Sequence, residues 1–281
     1  GFQIDLNTSF TGEDSLDVSL DGGNSGNQVS EFDLNSTTSE ALTVDGVSYT
    51  FPVMGATVFV GDNMDGSTLF STACVYGGPS NNLDDCGNGS SAIGSGEGTA
   101  LGASYEFDNG VSVAVGYTGA GSATDGLMTR ESEDQIGGQL SYSGDSFGAS
   151  LTLAQIEDFS HLLDRNFWAF NGYWTPEETG VIPSISVGYE TGDSEAASTA
   201  DTSTFFVGLQ WDEVGPGTFG AAMGTTGHIS EGETEYYMYE AFYSYPVNDG
   251  MTITPLVYQK EDATAGSPDE TGIMVKTSFS F

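Results

Sequence analysis

Positive charge is what this 281-residue sequence has least of: four Lys and Arg stand against 41 Asp and Glu, a formal net charge of −37 at pH 7. Nucleic-acid affinity is built largely from Lys and Arg neutralising phosphates, so a nucleic-acid partner is excluded. Long apolar runs are missing too. Nothing approaches the roughly 18 consecutive apolar residues of a membrane-spanning helix, which excludes a helical membrane protein. Histidine occurs twice, as His161 and His228. A Ser-His-acid centre needs a histidine beside a particular serine, and nothing singles one out, so the chain is not expected to be an enzyme. Cysteine also occurs twice, as Cys74 and Cys86, without a CxxC pair or a nearby histidine, and no metal centre or cofactor is expected from them.

What is present points elsewhere. Aromatic residues make up 12% and apolar residues 37% of the chain, too much for a disordered polyanion. Forty Gly with only eight Pro suit an all-β protein rich in tight turns.

The dominant signal is period-2 alternation in runs of about 8 to 11 residues, the length a tilted strand needs to cross a bilayer. Phe2, Ile4, Leu6 and Phe10 fall on one face, and Gln3, Asp5, Asn7 and Ser9 on the other. After Thr11-Gly12-Glu13-Asp14, Leu16, Val18 and Leu20 alternate with Asp17, Ser19 and Asp21. Val47–Phe51 and Ala56–Gly61 form the next pair, and Leu101–Phe107 and Val111–Tyr117 meet across Asn109-Gly110, a strong hairpin signal. Further runs cover 135–143, 147–157, 167–175, 182–191, 203–213, 217–227, 235–246, 251–260 and 271–281, about 15 strands in all.

Short connections such as 108–110, 144–146 and 248–250 alternate with long ones such as 119–134, 192–202 and 261–270. That asymmetry is expected of an antiparallel transmembrane β-barrel in the outer membrane, with residues 1–281 as one domain. A secreted β-sandwich or β-helix is the alternative, its alternation then separating core from solvent. Single-chain bacterial barrels have an even number of strands, so an odd count predicts either one more strand upstream of Gly1 or a miscounted run. Tyr117, Phe147, Trp168, Trp174, Trp211, Tyr245 and Tyr258 stand at strand ends and suit interfacial girdles. Cys74 and Cys86, in a Gly/Ser/Asn-rich stretch of an oxidising compartment, are expected to form a disulfide.

Residues 4–16, IDLNTSFTGEDSL, followed by Gly22-Gly23-Asn24, resemble a stretch of the cyanobacterial outer-membrane porins. These are known as iron uptake porins and are related to the carbohydrate-selective porins. Val47-Ser48-Tyr49-Thr50-Phe51-Pro52, Ala56-Thr57-Val58-Phe59-Val60-Gly61 and Ala103-Ser104-Tyr105-Glu106-Phe107 fit the same family in the same order. The resemblance implies a 16-stranded barrel whose first strand precedes residue 4, a homotrimer among lipid and lipopolysaccharide, and a tether to peptidoglycan through an N-terminal region. It also implies that 62–98 is the loop folded inward to constrict the pore, with Asp62, Asp65, Asp84, Asp85 and Glu97 as its selectivity residues. An outward surface loop is the alternative for this segment. Where the family usually carries Arg after its TGxD motif, this chain has Asp17, Ser19 and Asp21.

By alternation Asp5, Asp17, Asp21, Glu106 and Glu190, with Asp212, face the lumen. A confined carboxylate lining attracts cations and repels anions, less so as salt screens it. Net acidity for solubility or a saline habitat draws on the same residues. Asp62-Asn63-Met64-Asp65-Gly66 lacks EF-hand spacing, so at most loosely held Ca²⁺ or Mg²⁺ is expected. The expected function is passive diffusion of inorganic ions and small hydrophilic solutes with a cation preference. The alternative is a plugged structural protein anchoring membrane to cell wall.

Overall fold

The computed structural model describes residues 1–23, 38, 41–83, 86, 98–119, 126–129, 132–157, 164–177, 180–194, 200–262 and 267–280. The alternating runs become strands β1 (Phe2–Thr8), β2 (Ser15–Gly22), β3 (Thr43–Val53), β4 (Ala56–Met64), β5 (Gly98–Glu106), β6 (Val111–Gly119), β7 (Asp134–Ser143) and β8 (Phe147–Glu157). They continue as β9 (Arg165–Trp174), β10 (Ser184–Ser194), β11 (Thr202–Val214), β12 (Gly217–Thr225), β13 (Ile229–Ser230), β14 (Tyr237–Asn248), β15 (Met251–Lys260) and β16 (Glu270–Phe279). All sixteen belong to one antiparallel sheet, fifteen of them along a single path in which each strand pairs with the next. The two-residue β13 lies off the path, against the start of β11. With fifteen strands on the path, the edge strands β1 and β16 run in the same direction. A strand seated between them would be antiparallel to both.

The connections obey the predicted asymmetry. Met54 and Gly55 join β3 to β4 with φ of 52° and 87°, the two positive values of a type I′ hairpin, whose twist matches that of its strands. At the same rim lie the turns after β5, β7, β11 and β14, whereas 65–97, 120–133 and 226–236 join strands at the other.

Register assigns the two faces. Asn7 pairs with Asp17 and Asp17 with Ser48, and later Gln139, Thr152, Ala169, Glu190 and Thr204 follow one another across β7 to β11. The opposite face carries Leu6, Val18, Val60, Leu101, Leu140, Leu151, Phe170, Tyr189, Val257 and Ile273. Its side chains are the exposed ones: Val115 is 59%, Val257 55% and Ile273 74% exposed. Among buried residues are the polar Gln139, Ser150, Thr152, Asn171, Ser186, Glu190 and Glu240. The sheet is therefore apolar without, and within it combines these polar side chains with a buried apolar cluster of Phe206, Met238, Phe242, Leu256 and Met274 on β11 to β16. An apolar surface running over so many strands far exceeds the patch of a few hundred Å² that a soluble monomer tolerates, and marks contact with a hydrocarbon medium.

Candidate functional site

The segment that follows β4 builds the inner landscape. Asp65 opens it by accepting hydrogen bonds at Oδ1 from the Ser67 amide (2.6 Å) and hydroxyl (2.5 Å), an Asx turn that redirects the chain. The Gly66 carbonyl oxygen then lies 1.8 Å from where a Cβ would stand on Gly116 of β6, so only glycine admits it there. From this point the chain crosses the inner face strand by strand. Gln139 of β7 accepts from the Ser71 amide at Oε1 (2.6 Å) and donates to the Ser71 carbonyl from Nε2 (2.9 Å). Asn171 of β9 donates to the Thr72 carbonyl (3.1 Å), Ser186 of β10 accepts from the Val75 amide (3.1 Å), and Gln210 of β11 accepts from the Gly77 amide (3.0 Å). Asn82 donates to the Thr225 carbonyl at the end of β12 (3.2 Å). Side chains of the wall thus supply the partners that an extended backbone without a neighbouring strand would otherwise lack.

Tyr76 is the anchor. Its ring packs against Phe206 (5.3 Å between centroids) and Phe242 (5.5 Å), in a buried cluster with Leu83, Cys86, Met238, Leu256 and Met274. Such ring pairs contribute about 0.5–1.5 kcal/mol each beyond area burial. The Tyr76 hydroxyl donates to Oε1 of the buried Glu240 (2.6 Å). Burial, with the Glu240 carboxylate beside it, pushes the Tyr76 phenol far above its usual range, so it stays a donor. Cys74 and Cys86 are joined as the sequence predicts, 6.1 Å apart at Cα. A Cβ on Gly188 of β10 would meet the Cys86 carbonyl oxygen at 1.7 Å, a second close approach that needs glycine. A segment that touches β6 and β14 alike, within so few residues, requires the polar face to be concave.

The predicted site residues fall into three groups. Asp84, Asp85 and Glu97 lie outside the described residues, as does His161. Asp65 is used by the turn, and Asp62 is exposed on β4 in register with Val47, on the face of Val58 and Val60. Asn63 donates to the Asp45 carbonyl. No group of three or more His, Cys, Asp or Glu side chains placed to hold a metal occurs among the described residues.

Asp5, Asp17, Glu106 and Glu190 lie on the polar face by register, and Asp212, within a shift of the β11–β12 register, accepts there from Gln210 and Thr218. Asp21, beyond a bulge in the β2–β3 register, is 4% exposed. Among the described residues Asp5 and Asp17 are held by neutral donors: Gln3 and Ser19 donate to Asp5, and Asn7 (2.5 Å) and Ser15 (2.7 Å) to Asp17. Within the segment, residues 66–83 carry no charge. The described wall thus bears fixed negative charge, and this stretch Ser, Thr, Gly and Asn. Alternation identified the wall acids; the segment's wall partners Gln139, Asn171, Ser186 and Gln210 carry no comparable signal.

Of the proposed girdle aromatics one lies on the other face, and one, in register with Leu101 on the apolar face, is buried. Tyr258 is on the inner face, buried, and donates to Glu270 (2.5 Å). Tyr117 is covered: its hydroxyl donates to Asp134 and accepts from the Met128 amide. Phe147, Trp168, Trp174 and Tyr245 are exposed on the apolar face, and Trp211 on that face is half-buried.

No family model and no curated protein matches the chain. Solved structures do. An anion-selective porin from Comamonas acidovorans aligns over 98% of this chain and 87% of its own, with a TM-score of 0.65 at 14% identity. A loop-deletion form of OmpT, an outer membrane protein of Vibrio cholerae, aligns over 99% and 89% with a TM-score of 0.65 at 11% identity. A porin refined at 1.8 Å resolution aligns over 99% and 91%, with a TM-score of 0.63 at 12% identity. The fold is that of a porin-type outer-membrane β-barrel.

Proposed function

We propose that the chain is an outer-membrane channel for passive diffusion of inorganic ions and small hydrophilic solutes, with a preference for cations and no catalytic activity. The inverted sheet carries this reading: apolar side chains face out along the whole strand path, while the polar face encloses a segment fixed to it. Residues 66–83 are the constriction, and solutes pass between their uncharged strip and the wall of β1, β2 and β5. Asp5, Asp17 and Glu106 on that wall supply the field, which has no basic counterweight on β1 or β2. Ions fit the path better than sugar rings, because among the described inner-face strand aromatics Phe59, Phe167, Phe206, Phe242 and Tyr258 are buried and only Tyr173 is half-buried, so no row of open rings forms a stacking track. The anion selectivity of the Comamonas porin belongs to that protein; the charge here is of the opposite sign. Membership of the cyanobacterial iron uptake porins, trimeric assembly and a peptidoglycan tether belong to this reading through the motifs at 4–16 and 47–61.

The test is the zero-current potential of the purified protein in a planar bilayer under a tenfold KCl gradient, repeated at high salt. A cation-selective potential that shrinks with salt, and moves toward zero in the Asp5→Asn/Asp17→Asn double variant, is expected. An unchanged potential in the variant would place the conducting path away from β1 and β2. Absence of any conductance would favour the plugged structural protein.

A further inference from the structure

We propose that His228 and Glu190 form a spring catch that holds the rim connection 226–236 down against outward electrostatic pressure. Glu190 is 0% exposed on the inner face of β10, flanked in register by Ala169 and Thr204. His228 Nε2 stands 2.5 Å from its Oε1. Its other oxygen, Oε2, has no hydrogen-bond partner among the described residues. The imidazole meets the buried Phe167 ring edge-on at 6.1 Å. Gly227, with φ of +120°, makes the turn that carries His228 over the rim and inward, a backbone conformation that strains any residue with a Cβ. Glu190 lies two residues beyond Gly188, where Cys86 is seated, so the catch closes about 7 Å above the fixed segment.

The pressure comes from the other side of the rim. There Glu231, Glu233 and Glu235 of the connection, with Asp201 facing them, surround a cavity of about 380 Å³ beside Tyr189 and Thr191. Unscreened carboxylates of one sign push apart, and they belong to the moving and the fixed element respectively. The pairing of Ser230 with Thr202 and the Glu231 amide's bond to the Asp201 carbonyl resist that push from outside, while His228 resists it from inside. A carboxylate buried with a single partner is a strong restraint, because releasing the partner leaves it unsatisfied.

Amide hydrogen exchange of the purified wild type in detergent, against His228→Ala, His228→Gln and Glu190→Gln, tests the catch and needs no channel current. In His228→Ala the amides of 227–236 should exchange roughly tenfold to a hundredfold faster, the equilibrium factor of losing a hydrogen bond to a charged group. The acceleration should be greater at 10 mM than at 1 M NaCl, since the Debye length falls from about 30 to about 3 Å. The amides of β10 and β12 should keep wild-type rates, and His228→Gln, which retains a donor, should restore part of the protection. Equal exchange in wild type and His228→Ala overturns the catch; acceleration independent of salt overturns the electrostatic spring. In bilayers, where the channel reading is also at stake, His228→Ala should add fluctuations to the open-channel current. A silent wild type would sink the channel while leaving the exchange result intact.

Discussion

Asp14 shows how much one side chain can organise. Its Oδ1 accepts from the Ser9 hydroxyl, the Phe10 and Thr11 amides and the Thr11 hydroxyl, and its Oδ2 accepts from the Tyr49 hydroxyl at 2.6 Å. The Tyr49 hydroxyl first, then Ser9 and Thr11, hold the carboxyl far below the usual carboxylate range, against a smaller opposing effect of burial. A depressed folded-state pKa contributes stability that is fully present above the unfolded carboxylate pKa, near 4, and fades as pH falls toward the folded value. Asp14→Asn should therefore unfold more readily than wild type at pH 7, with a gap that narrows as the pH drops below about 4. Detergent unfolding curves at stepped pH check this; a gap that widens in acid would contradict it. The turn itself was legible in Thr-Gly-Glu-Asp, and so was the hairpin. Tyr49, 35 residues away, was not, because period 2 assigns a tyrosine to a face and says nothing of what its hydroxyl reaches.

Among the elements, the segment 65–86 is where local sequence said least. Its composition suits an exposed loop as well as an inward one, and only the porin resemblance pointed inside. Its fixings explain why: Gln139, Asn171, Ser186 and Gln210 are neutral and lie 68 to 133 residues from the backbone groups they bind. The glycines are a better signal in retrospect, since Gly116 and Gly188 stand where strands with apolar exteriors would otherwise carry inward side chains. Gly188→Ala should force the Cys86 carbonyl off the wall by more than an ångström, given its 1.7 Å approach to a Cβ. The strands should still assemble, because β10 pairs over nine residues with β11 independently of the segment. Unchanged heat-modifiable gel migration with an altered single-channel conductance is the expected pair of results. Wild-type conductance would mean that the Cys86 end of the segment does not bound the conducting path.

The molecule as a whole was the most legible level. Fifteen alternating runs fall on the fifteen strands of the path with ends shifted by a few residues, and only β13, too short to show a period, escaped. Two-sided chemistry explains that success: each strand meets lipid on one face and polar groups on the other, so register is written at every second residue. Net charge acts at the same scale. Forty-one acids against four bases make the folded state self-repulsive, while Asp14, with its five donors, shows that some carboxylates are locally satisfied. Which effect wins is decided by screening. If uncompensated repulsion dominates, raising NaCl from 10 mM to 1 M in a non-ionic detergent should raise the unfolding temperature, by roughly 2–4 °C for each kcal/mol of repulsion removed. Sucrose, which stabilises by exclusion from the surface without screening charge, separates this from a general solvent effect. A midpoint that rises with salt beyond the sucrose control places most of the carboxylates, the Asp5 and Asp17 wall included, in unbalanced fields of the kind a cation path requires. A flat or falling midpoint would mean that the acids are neutralised locally throughout, and the cation preference would lose its electrostatic basis even if the channel conducts.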